Sequence, residues 1–439
     1  MAAADLVVTP WLDPATDVIF SRVGAVYHDS VKIVARYPEA NANGTKTLRL
    51  LYRESADINS TVWKDGPLLT FEEDRDWVDT VKLTGLWPNT SYEWFDLLSD
   101  YLYPKAIGTS GDSEEISLPL DNYPVPPRVE FLLFLGDFIY ADVPVYIGDD
   151  KEAYRRLYRR NYNSDSFRKI YERLPIFHAY DDHEFINNFG ASGNDSTSPY
   201  LNASAAFKLY NANGNFDPVT PDEHYYEFIY GDTAFFVLDT RRYRAELGIP
   251  NRTMLGEVQL AALHEWLSRA NTTSTFKFIV SSVPFTSLWG HDAQVDSWAG
   301  FLEEKQLLLA LFHSVPNVII LSGDRHEFAA VEFTGPKPED YPVWEFSTSP
   351  LSMFYIPFIR TLRMQSETYT QRSRTKVVST ETGPETVTYT ENIPLERVVK
   401  YIATGNSKWC GSALEIDTRN PELPTLRLET MIDGKRSFK

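Results

Sequence analysis

Four short clusters that combine carboxylates with a histidine, a tyrosine or an arginine constrain the fold of this chain more than any other feature. They are Gly-Asp-Phe-Ile-Tyr at 136–140, Asp-Asp-His-Glu at 181–184, Asp-Thr-Arg-Arg at 239–242 and Gly-Asp-Arg-His-Glu at 323–327. Each cluster follows a short apolar run, at 131–135, 174–179, 234–238 and 318–321. Such runs are typical of buried strands, and ligands at strand ends can converge from distant sequence. The clusters therefore predict one shared metal site.

Length and composition predict a globular chain of two domains. Its 439 residues exceed what one hydrophobic core usually supports, and 43% hydrophobic residues are ample for burial. No window approaches the roughly 18 consecutive apolar residues of a membrane helix. Residues 1–30 also lack a basic and then apolar leader. We therefore expect a soluble chain without a membrane span.

Charge and cysteine usage limit the partners and the ligands. The net charge of −19, from 61 acidic and 42 basic residues, argues against general nucleic-acid binding. Cys410 is the only cysteine, which excludes an intrachain disulfide and a thiolate cage, and we expect it to be a buried residue without a chemical role. A metal must use oxygen and nitrogen ligands, which suit iron(III), manganese, calcium or zinc.

Asn-x-Ser/Thr triplets indicate the secretory pathway, extracellular or lumenal. Seven occur, whereas about three would be expected by chance, although polar loops that happen to contain the triplet remain an alternative. They begin at Asn43, Asn59, Asn89, Asn194, Asn202, Asn251 and Asn271.

The N-terminal part has all-β patterning. Alternating runs at 30–37 and 48–52 are separated by Asn/Gly-rich turns, and residues 81–92, ending in Tyr92, resemble the tyrosine corner of fibronectin type III domains. We predict a β-sandwich over 1–105. Gly/Pro punctuation then predicts a linker over 106–128.

The second domain is predicted to be α/β over 129–439. Helical spacing of apolar residues alternates with strands, which is typical of layered α/β folds. A hairpin and a late strand pair make the sheet mixed. Residues 365–400, rich in Ser, Thr and charge, predict a mobile surface insertion. The helices are predicted at 151–174, 199–212, 257–270 and 303–315, the hairpin at 226–229 and 233–238, and the strand pair at 413–416 and 425–428.

Two of the clusters offer an aspartate beside a second candidate group. Asp137 and Tyr140 lie three residues apart on a turn where a carboxylate and a phenolate can meet one ion, although core packing of Tyr140 is an alternative. Asp182 can hold a metal while the adjacent His183 donates a proton to a departing alkoxide. A capping aspartate with a surface histidine is the alternative for this second pair.

The other two clusters supply further ligands and a cation. Asp324 and His326 would project to the same side if the chain stays extended, as chelation requires, although an ion pair between Asp324 and Arg325 is an alternative. Arg241 could clamp a phosphoryl oxygen, with Arg244 as another candidate clamp, or form a structural salt bridge. The nucleotide-binding glycine loops and the Gly-x-Ser-x-Gly elbow are missing from the sequence, which leaves hydrolysis by a metal-activated water.

The segments 135–140, 180–184, 238–241 and 321–327 resemble the alkaline phosphatase D (PhoD-like) family of the calcineurin-like metallophosphoesterases. The resemblance covers about residues 129–355 and implies a four-layer α/β core of mixed sheets with a fibronectin type III-like sandwich in front. It implies a phosphomonoesterase or phosphodiesterase with a phosphate ester substrate. The metals implied are iron(III) and calcium, or another divalent ion in place of calcium.

The same resemblance implies a role for each candidate residue. Asp137, Tyr140 and Asp182 would be metal ligands, as would Asp324 and His326. The catalytic residues would be His183, as proton donor, and Arg241.

One element of the family pattern is missing from the sequence. Members carry a Ser-Cys-type strand end that supplies a first ligand upstream of the Gly-Asp-x-x-Tyr element. Residues 119–135 instead pass straight from the linker into an apolar run. A catalytically impaired, secreted binding protein is therefore the alternative to an active hydrolase.

Overall fold

The fold was analysed in a computed structural model. It describes residues 15–38, 44–54, 63–87, 92–95, 129–143, 145–348, 362–380, 383–403, 410–432 and 435–438. The predicted linker at 106–128 lies outside these residues. No helix in the described ranges is both long and apolar enough to span a membrane.

The described residues form five α-helices and twenty strands. The helices are α1 (Lys151–Tyr162), α2 (Asp165–Tyr171), α3 (Tyr200–Tyr210), α4 (Gly256–Thr273) and α5 (Leu302–His313). The first ten strands are β1 (Phe20–Val26), β2 (Ser30–Arg36), β3 (Thr45–Glu54), β4 (Lys64–Glu72), β5 (Val78–Thr84), β6 (Tyr92–Phe95), β7 (Leu132–Leu135), β8 (Ile176–Ala179), β9 (Tyr226–Tyr230) and β10 (Thr233–Val237). The others are β11 (Phe276–Ser281), β12 (Val318–Ser322), β13 (Phe328–Phe333), β14 (Val343–Ser347), β15 (Tyr369–Thr380), β16 (Gly383–Pro394), β17 (Glu396–Ile402), β18 (Cys410–Asp417), β19 (Thr425–Ile432) and β20 (Lys435–Phe438).

The chain divides into two compact units. Unit 1 comprises Met1–Leu133, Asp150–His178 and Ala205–Phe216, and unit 2 comprises the remaining residues. The helical segment at 150–178 thus groups with the N-terminal strands, although the sequence suggested a division near 129. The domain boundaries drawn from the sequence stay a prediction.

The N-terminal strands of unit 1 form two antiparallel sheets with one core. The sheet orders are β1-β2-β5 and β4-β3-β6. Ile33 and Ala35 on β2, and Leu69 and Phe71 on β4, are buried together at the two-residue spacing of strands that each bury one face. The side chain of Tyr92 lies outside the described part, so the likeness to fibronectin type III stays a prediction.

A buried ion-pair network lies in the same unit. The Asp76 carboxylate accepts from Arg36 Nη2 at 2.9 Å and from Arg159 Nη1 at 2.8 Å, and Tyr210 also donates to it. Burial acts to raise the pKa of Asp76, but the two guanidinium groups outweigh burial and hold the pKa below its usual value. Asp76 therefore stabilises unit 1 as a carboxylate.

The single helix predicted at 151–174 is divided into α1, which ends at Tyr162, and α2, which begins at Asp165, whereas α1 begins at Lys151 as predicted. The Asp150 side chain caps its first turn, accepting from Glu152 N at 2.7 Å and Ala153 N at 3.0 Å. Tyr154, Tyr158 and Tyr162, spaced four residues apart, form one buried face.

Unit 2 contains a mixed seven-stranded sheet. Its strand order is β17-β13-β14-β12-β11-β10-β9. The central strands β10, β11, β12 and β14 are parallel, and the outer pairings are antiparallel. The predicted mixed α/β fold, the hairpin β9-β10 and the late pair β18-β19 are confirmed.

The two faces of this sheet are covered by different layers. On β13, Ala329 and Val331 belong to the core that contains α4 and α5. Phe328 and Ala330 face the opposite core, which includes Cys410 and the sheet β18-β19-β20. This alternation makes unit 2 a helix, sheet, sheet arrangement in the described residues. The four-layer architecture stays a prediction.

The apolar runs in front of the four clusters are strands, as predicted. Strands β8, β10 and β12 are fully buried, whereas β7 is only half-buried. Its expected full burial is therefore wrong.

The segment predicted as a mobile insertion contains regular structure. Strands β15 and β16 form a long antiparallel hairpin that is exposed over most of its length. The mobility of 365–400 stays a prediction.

Candidate metal centre

The turn after β7 places Asp137 and Tyr140 at the site. Gly136, Asp137 and Tyr140 have φ angles of 104°, 55° and 50°, a region that non-glycine residues adopt only at a cost of about 1 kcal/mol or more. A Cβ atom on Gly136 would lie 2.4 Å from Asp181 Cβ. The turn therefore requires glycine at 136, because a larger residue would displace the Asp181 side chain.

Glu184 holds this turn in place. Its fully buried carboxylate accepts from the backbone N–H groups of Asp137 at 3.1 Å, Phe138 at 2.6 Å, Ile139 at 3.2 Å and Asp181 at 2.7 Å. Burial raises the pKa of Glu184 to about 7, although the backbone donors act in the opposite direction. One side chain thus links the first two clusters.

Four carboxylates meet beside this turn. Asp137, Asp181, Asp182 and Asp324 each offer an oxygen within 4.8 Å of the others. Burial, followed by the charges of Asp182 and Asp181, raises the pKa of Asp137 well above its usual value. Four anionic groups this close repel one another unless a cation or protons lie between them.

Three oxygens of this group have no hydrogen-bond donor among the described residues. They are Asp137 Oδ1, Asp181 Oδ2 and Asp324 Oδ2. Buried polar atoms are nearly always hydrogen-bonded or bound to a cation, because their desolvation is otherwise uncompensated. The donor set therefore fits a hard metal ion.

Tyr140 and His326 also reach Asp137. The Tyr140 hydroxyl donates to Asp137 Oδ2 at 3.3 Å, and His326 Nε2 lies 3.9 Å from the same oxygen. Burial, followed by the charge of Asp137, raises the pKa of the Tyr140 phenol far above its usual value in the absence of a cation. The phenol is therefore protonated unless a strongly acidic ion binds.

The backbone that carries Asp324 and His326 to the site has a different conformation from the one expected. The segment after β12 is not extended, since Asp324 and His326 have φ angles of 69° and 57°. The prediction of same-side projection from an extended chain is therefore wrong. A bend brings both side chains to the site, and Arg325 Nη1 lies 3.8 Å from Asp324 Oδ2, beyond hydrogen-bond distance.

His183 is paired with an aspartate that the sequence did not single out. Its Nδ1 lies 2.6 Å from Asp142 Oδ1, while Asp142 Oδ2 accepts from Asn187 N at 2.8 Å. Burial acts to lower the pKa of His183, but Asp142 and Asp182 outweigh it and raise the pKa to about 9. The imidazole is therefore protonated near neutral pH. It is 7% exposed, so the alternative of a surface histidine is wrong.

Arg241 lies beneath the cluster and is fully buried. Its Nε donates to Asp181 Oδ1 at 2.5 Å, its Nη1 donates to Asp296 Oδ1 at 2.7 Å, and its Nη2 lies 3.4 Å from Asp182 Oδ1. The sequence left two roles open for Arg241, and these contacts are those of a structural salt bridge. Asp239 accepts from the backbone N–H of Arg241 at 3.0 Å.

Asp296 completes this ion-pair group. Arg244 Nη1 also forms an ion pair with it. Burial acts to raise the pKa of Asp296, but Arg241 and Arg244 outweigh burial and hold the pKa at about 2. Asp296 therefore fixes both arginines as an ionised carboxylate.

The structure thus brings all seven candidate residues together. Asp137, Asp182 and Asp324 belong to the carboxylate group, and the other four contact it or each other. A family model described as PhoD-like phosphatase matches residues 124–392, which is more than half of the chain.

The chain belongs to the PhoD-like phosphatase family.

Comparison with one solved structure agrees with this assignment at the level of the fold. The chain is similar to a structure described as PhoD, with 17% identity, coverage of 88% of this chain and 92% of that chain, and a TM-score of 0.59. It is also similar to the purple acid phosphatase PPD1 from yellow lupin (Lupinus luteus) seeds, with 11% identity, coverage of 75% and 64%, and a TM-score of 0.47, which is too low to support an argument. No curated protein matches the chain.

The sequence did not assign a role to some residues of this PhoD-like site. Asp142 follows Asp137 in the same loop, which is a weak signal, and Glu184 and Asp181 were within a recognised cluster but without a role. Asp296 lies in a segment without any motif, and only the tertiary structure brings it to Arg241. Residues 119–128, where the sequence lacks the upstream first-ligand element, lie outside the described part.

Proposed function

We propose that this PhoD-like protein is a metal-dependent phosphoester hydrolase acting on phosphate monoesters or diesters. The observation that carries the proposal is the group of buried carboxylate oxygens without donors beside an imidazole that Asp142 orients. Family membership supports the same reaction class.

The metal ligands in this proposal are Asp137, Tyr140, Asp182, Asp324 and His326. When bound, the cations would act as Lewis acids that polarise a phosphoryl oxygen and lower the pKa of a water. The carboxylates favour hard ions such as calcium, and a phenolate ligand favours iron(III), because a strongly acidic cation is needed to keep the phenol deprotonated. Iron(III) with calcium, or with another divalent ion, is the proposed set.

His183 is the proposed proton donor to the leaving oxygen. Nδ1 of His183 is hydrogen-bonded to Asp142, which leaves Nε2 as the ring nitrogen available to the ester. Because its pKa is raised to about 9, the imidazole carries a proton near neutral pH and can transfer it as the P–O bond breaks. Asp142 is a positioning residue in this scheme.

Arg241 is proposed to act through Asp181 and Asp182 rather than on the phosphoryl group. Its guanidinium is fully buried and already makes contacts with three carboxylates, so it has no donor turned toward solvent. It would hold those carboxylates in position and offset part of their negative charge.

Hydrolysis of paired aryl phosphomonoester and phosphodiester substrates tests the proposal. We expect His183→Ala to lower kcat by about 10²- to 10⁴-fold, the usual contribution of a general acid, with unchanged metal content. His264→Ala, an exposed histidine on α4, is the matched control and should keep full activity. Full activity of His183→Ala would contradict the assigned role, and metal-replete wild type that is inactive on both substrates would contradict the function.

A catalytically impaired binding protein is the second candidate. The missing Ser-Cys-type element in the sequence favours it, because one centre would then lack a ligand. Metal analysis of the purified protein separates the two: two or more ions per chain with a visible tyrosinate-to-iron absorption support the enzyme. Less than one ion per chain supports the impaired protein.

The secretory location and the glycosylation remain part of the proposal. The side chains of Asn194, Asn251 and Asn271 are exposed in the described residues, as glycan attachment requires. A mass decrease after endoglycosidase treatment of protein secreted from a eukaryotic host would test both points. Secreted protein whose mass is unchanged by the enzyme would contradict glycosylation.

A further inference from the structure

Asp181 is a fully buried carboxylate at the centre of the site and has no role in the ligand set predicted from the sequence. We propose that Asp181 is a direct ligand of a divalent cation, through its Oδ2 atom. This inference rests on the proposed function and adds a fifth oxygen ligand to Asp137, Tyr140, Asp182 and Asp324.

The two oxygens of Asp181 have different surroundings. Oδ1 accepts from Arg241 Nε at 2.5 Å and from Ser282 Oγ at 2.8 Å. Oδ2 is buried and has no donor among the described residues. With Oδ1 fixed by two donors, the rotation of the carboxylate is also fixed, so Oδ2 is the oxygen left to meet a cation.

Asp181 is packed directly against the turn that carries Asp137. Any Cβ at Gly136 would lie 2.4 Å from Asp181 Cβ, so the glycine provides the space that the Asp181 side chain occupies. Asp181 offers an oxygen within 4.8 Å of ligand oxygens from Asp137, Asp182 and Asp324. An ion bound by those three carboxylates is therefore also within reach of Asp181.

The chemistry of the group selects the kind of ion. Four carboxylates form an oxygen-rich site with more negative charge than Arg241 and Arg325 can offset. Hard divalent ions such as calcium and manganese prefer such ligands. The contact with Arg241 does not compete with this role, because a carboxylate can accept from a guanidinium through one oxygen and bind a cation through the other.

Asp296 provides a control for the alternative that Asp181 serves only to pair with Arg241. Asp296 binds the same guanidinium through two hydrogen bonds of 2.7 and 3.2 Å, and it is not part of the carboxylate group. Asp296→Asn therefore disturbs Arg241 without removing a proposed ligand. Asp181→Asn disturbs Arg241 and also replaces the ligand.

Calorimetric titration of chelator-treated full-length protein with Mn²⁺ tests the inference, with folding checked by circular dichroism. We expect Asp181→Asn to bind one Mn²⁺ fewer per chain than Asp296→Asn, or to bind Mn²⁺ at least 10-fold more weakly than that control. Equal stoichiometry with a smaller difference in affinity would overturn the inference and leave the proposed function standing. Wild type that binds no Mn²⁺ would overturn both.

Anomalous diffraction from wild-type crystals soaked in Mn²⁺ covers the case in which Asp181→Asn fails to fold. We expect an anomalous peak within about 2.5 Å of Asp181 Oδ2, a typical carboxylate–metal distance. A peak bound by Asp137 and Asp182 but more than about 3.5 Å from Asp181 would overturn the inference.

Discussion

Replacing Glu184 by glutamine tests whether one carboxylate organises the metal centre. Each oxygen of Glu184 accepts from two backbone N–H groups, Oε1 from Phe138 and Ile139 and Oε2 from Asp137 and Asp181. Glutamine has nearly the same shape, but its NH₂ group cannot accept. Whichever way the amide is turned, two buried N–H groups therefore face another donor.

The expected loss of stability follows from those two bonds. A hydrogen bond to a charged group contributes about 1.5–3 kcal/mol, so losing two lowers the free energy of unfolding by at most about 3–6 kcal/mol, and the removal of a buried charge offsets part of this loss. The free energy of unfolding should be measured at pH 8. Burial raises the pKa of Glu184 to about 7, so the wild-type carboxyl is mostly ionised only above that value. Loosening of the turn should also weaken Mn²⁺ binding by about 10- to 100-fold, as disruption of groups that orient ligands usually does.

Glu304 supplies a matched control away from the metal centre. It is also buried, and it accepts from Met254 N at 2.9 Å and Leu255 N at 3.2 Å, one bond to each oxygen. Glu304→Gln should lower the free energy of unfolding by about 1.5–3 kcal/mol, since it loses one bond, and should leave Mn²⁺ affinity unchanged.

Urea denaturation and Mn²⁺ titration of both variants give the two readouts. A stability loss in Glu184→Gln no larger than in Glu304→Gln would show that the four backbone donors do not depend on the carboxylate. Unchanged Mn²⁺ affinity in Glu184→Gln would refute the link between this turn and the metal ligands.

Three further predictions concern Gly136, Asp76 and Cys410. Gly136→Ala should weaken Mn²⁺ binding at least 10-fold, because its Cβ would displace Asp181, and unchanged affinity would contradict the steric argument. Asp76 has a lowered pKa in the fold, so its stabilisation is present above the unfolded pKa of about 3.9 and is lost as pH falls through the folded pKa. Wild type should therefore lose more stability in urea between pH 6 and pH 3 than Asp76→Asn does, and equal losses would count against this. Burial raises the pKa of Cys410 to about 11, so a thiol reagent at pH 8 should label it slowly in folded protein and rapidly in urea, whereas equal rates would show that it is accessible.

Local sequence patterns were sufficient to predict the helical segments and about half of the strands. The hairpin β9-β10 could be predicted because two apolar runs flank Gly231 and Asp232, and Gly231 takes the positive φ of 57° that the turn needs. The helix α4 could be predicted from its apolar spacing. The half-burial of β7 could not be predicted, because burial depends on the distant segments that pack around a strand.

The proposed metal ligands could be identified from the sequence, whereas the residues that position them could not. Asp137, Asp182 and Asp324 each follow a strand, and this local signal is enough to propose that they converge. Asp142 and Asp296 carry no such signal, because their roles depend on contacts with His183 and Arg241 from distant segments.

The sequence by itself determined the family, the mixed α/β class and the acidic, imidazole and phenol groups available to bind metal. Motif order, periodicity and residue type are local properties, so they can be taken from the chain without its fold. Only the tertiary structure decided that Arg241 is buried under Asp181, that Glu184 holds the turn of Asp137, and that Asp142 orients His183. These pairings join segments tens of residues apart, and the chain's local pattern contains no information about which of many carboxylates meets a given cation.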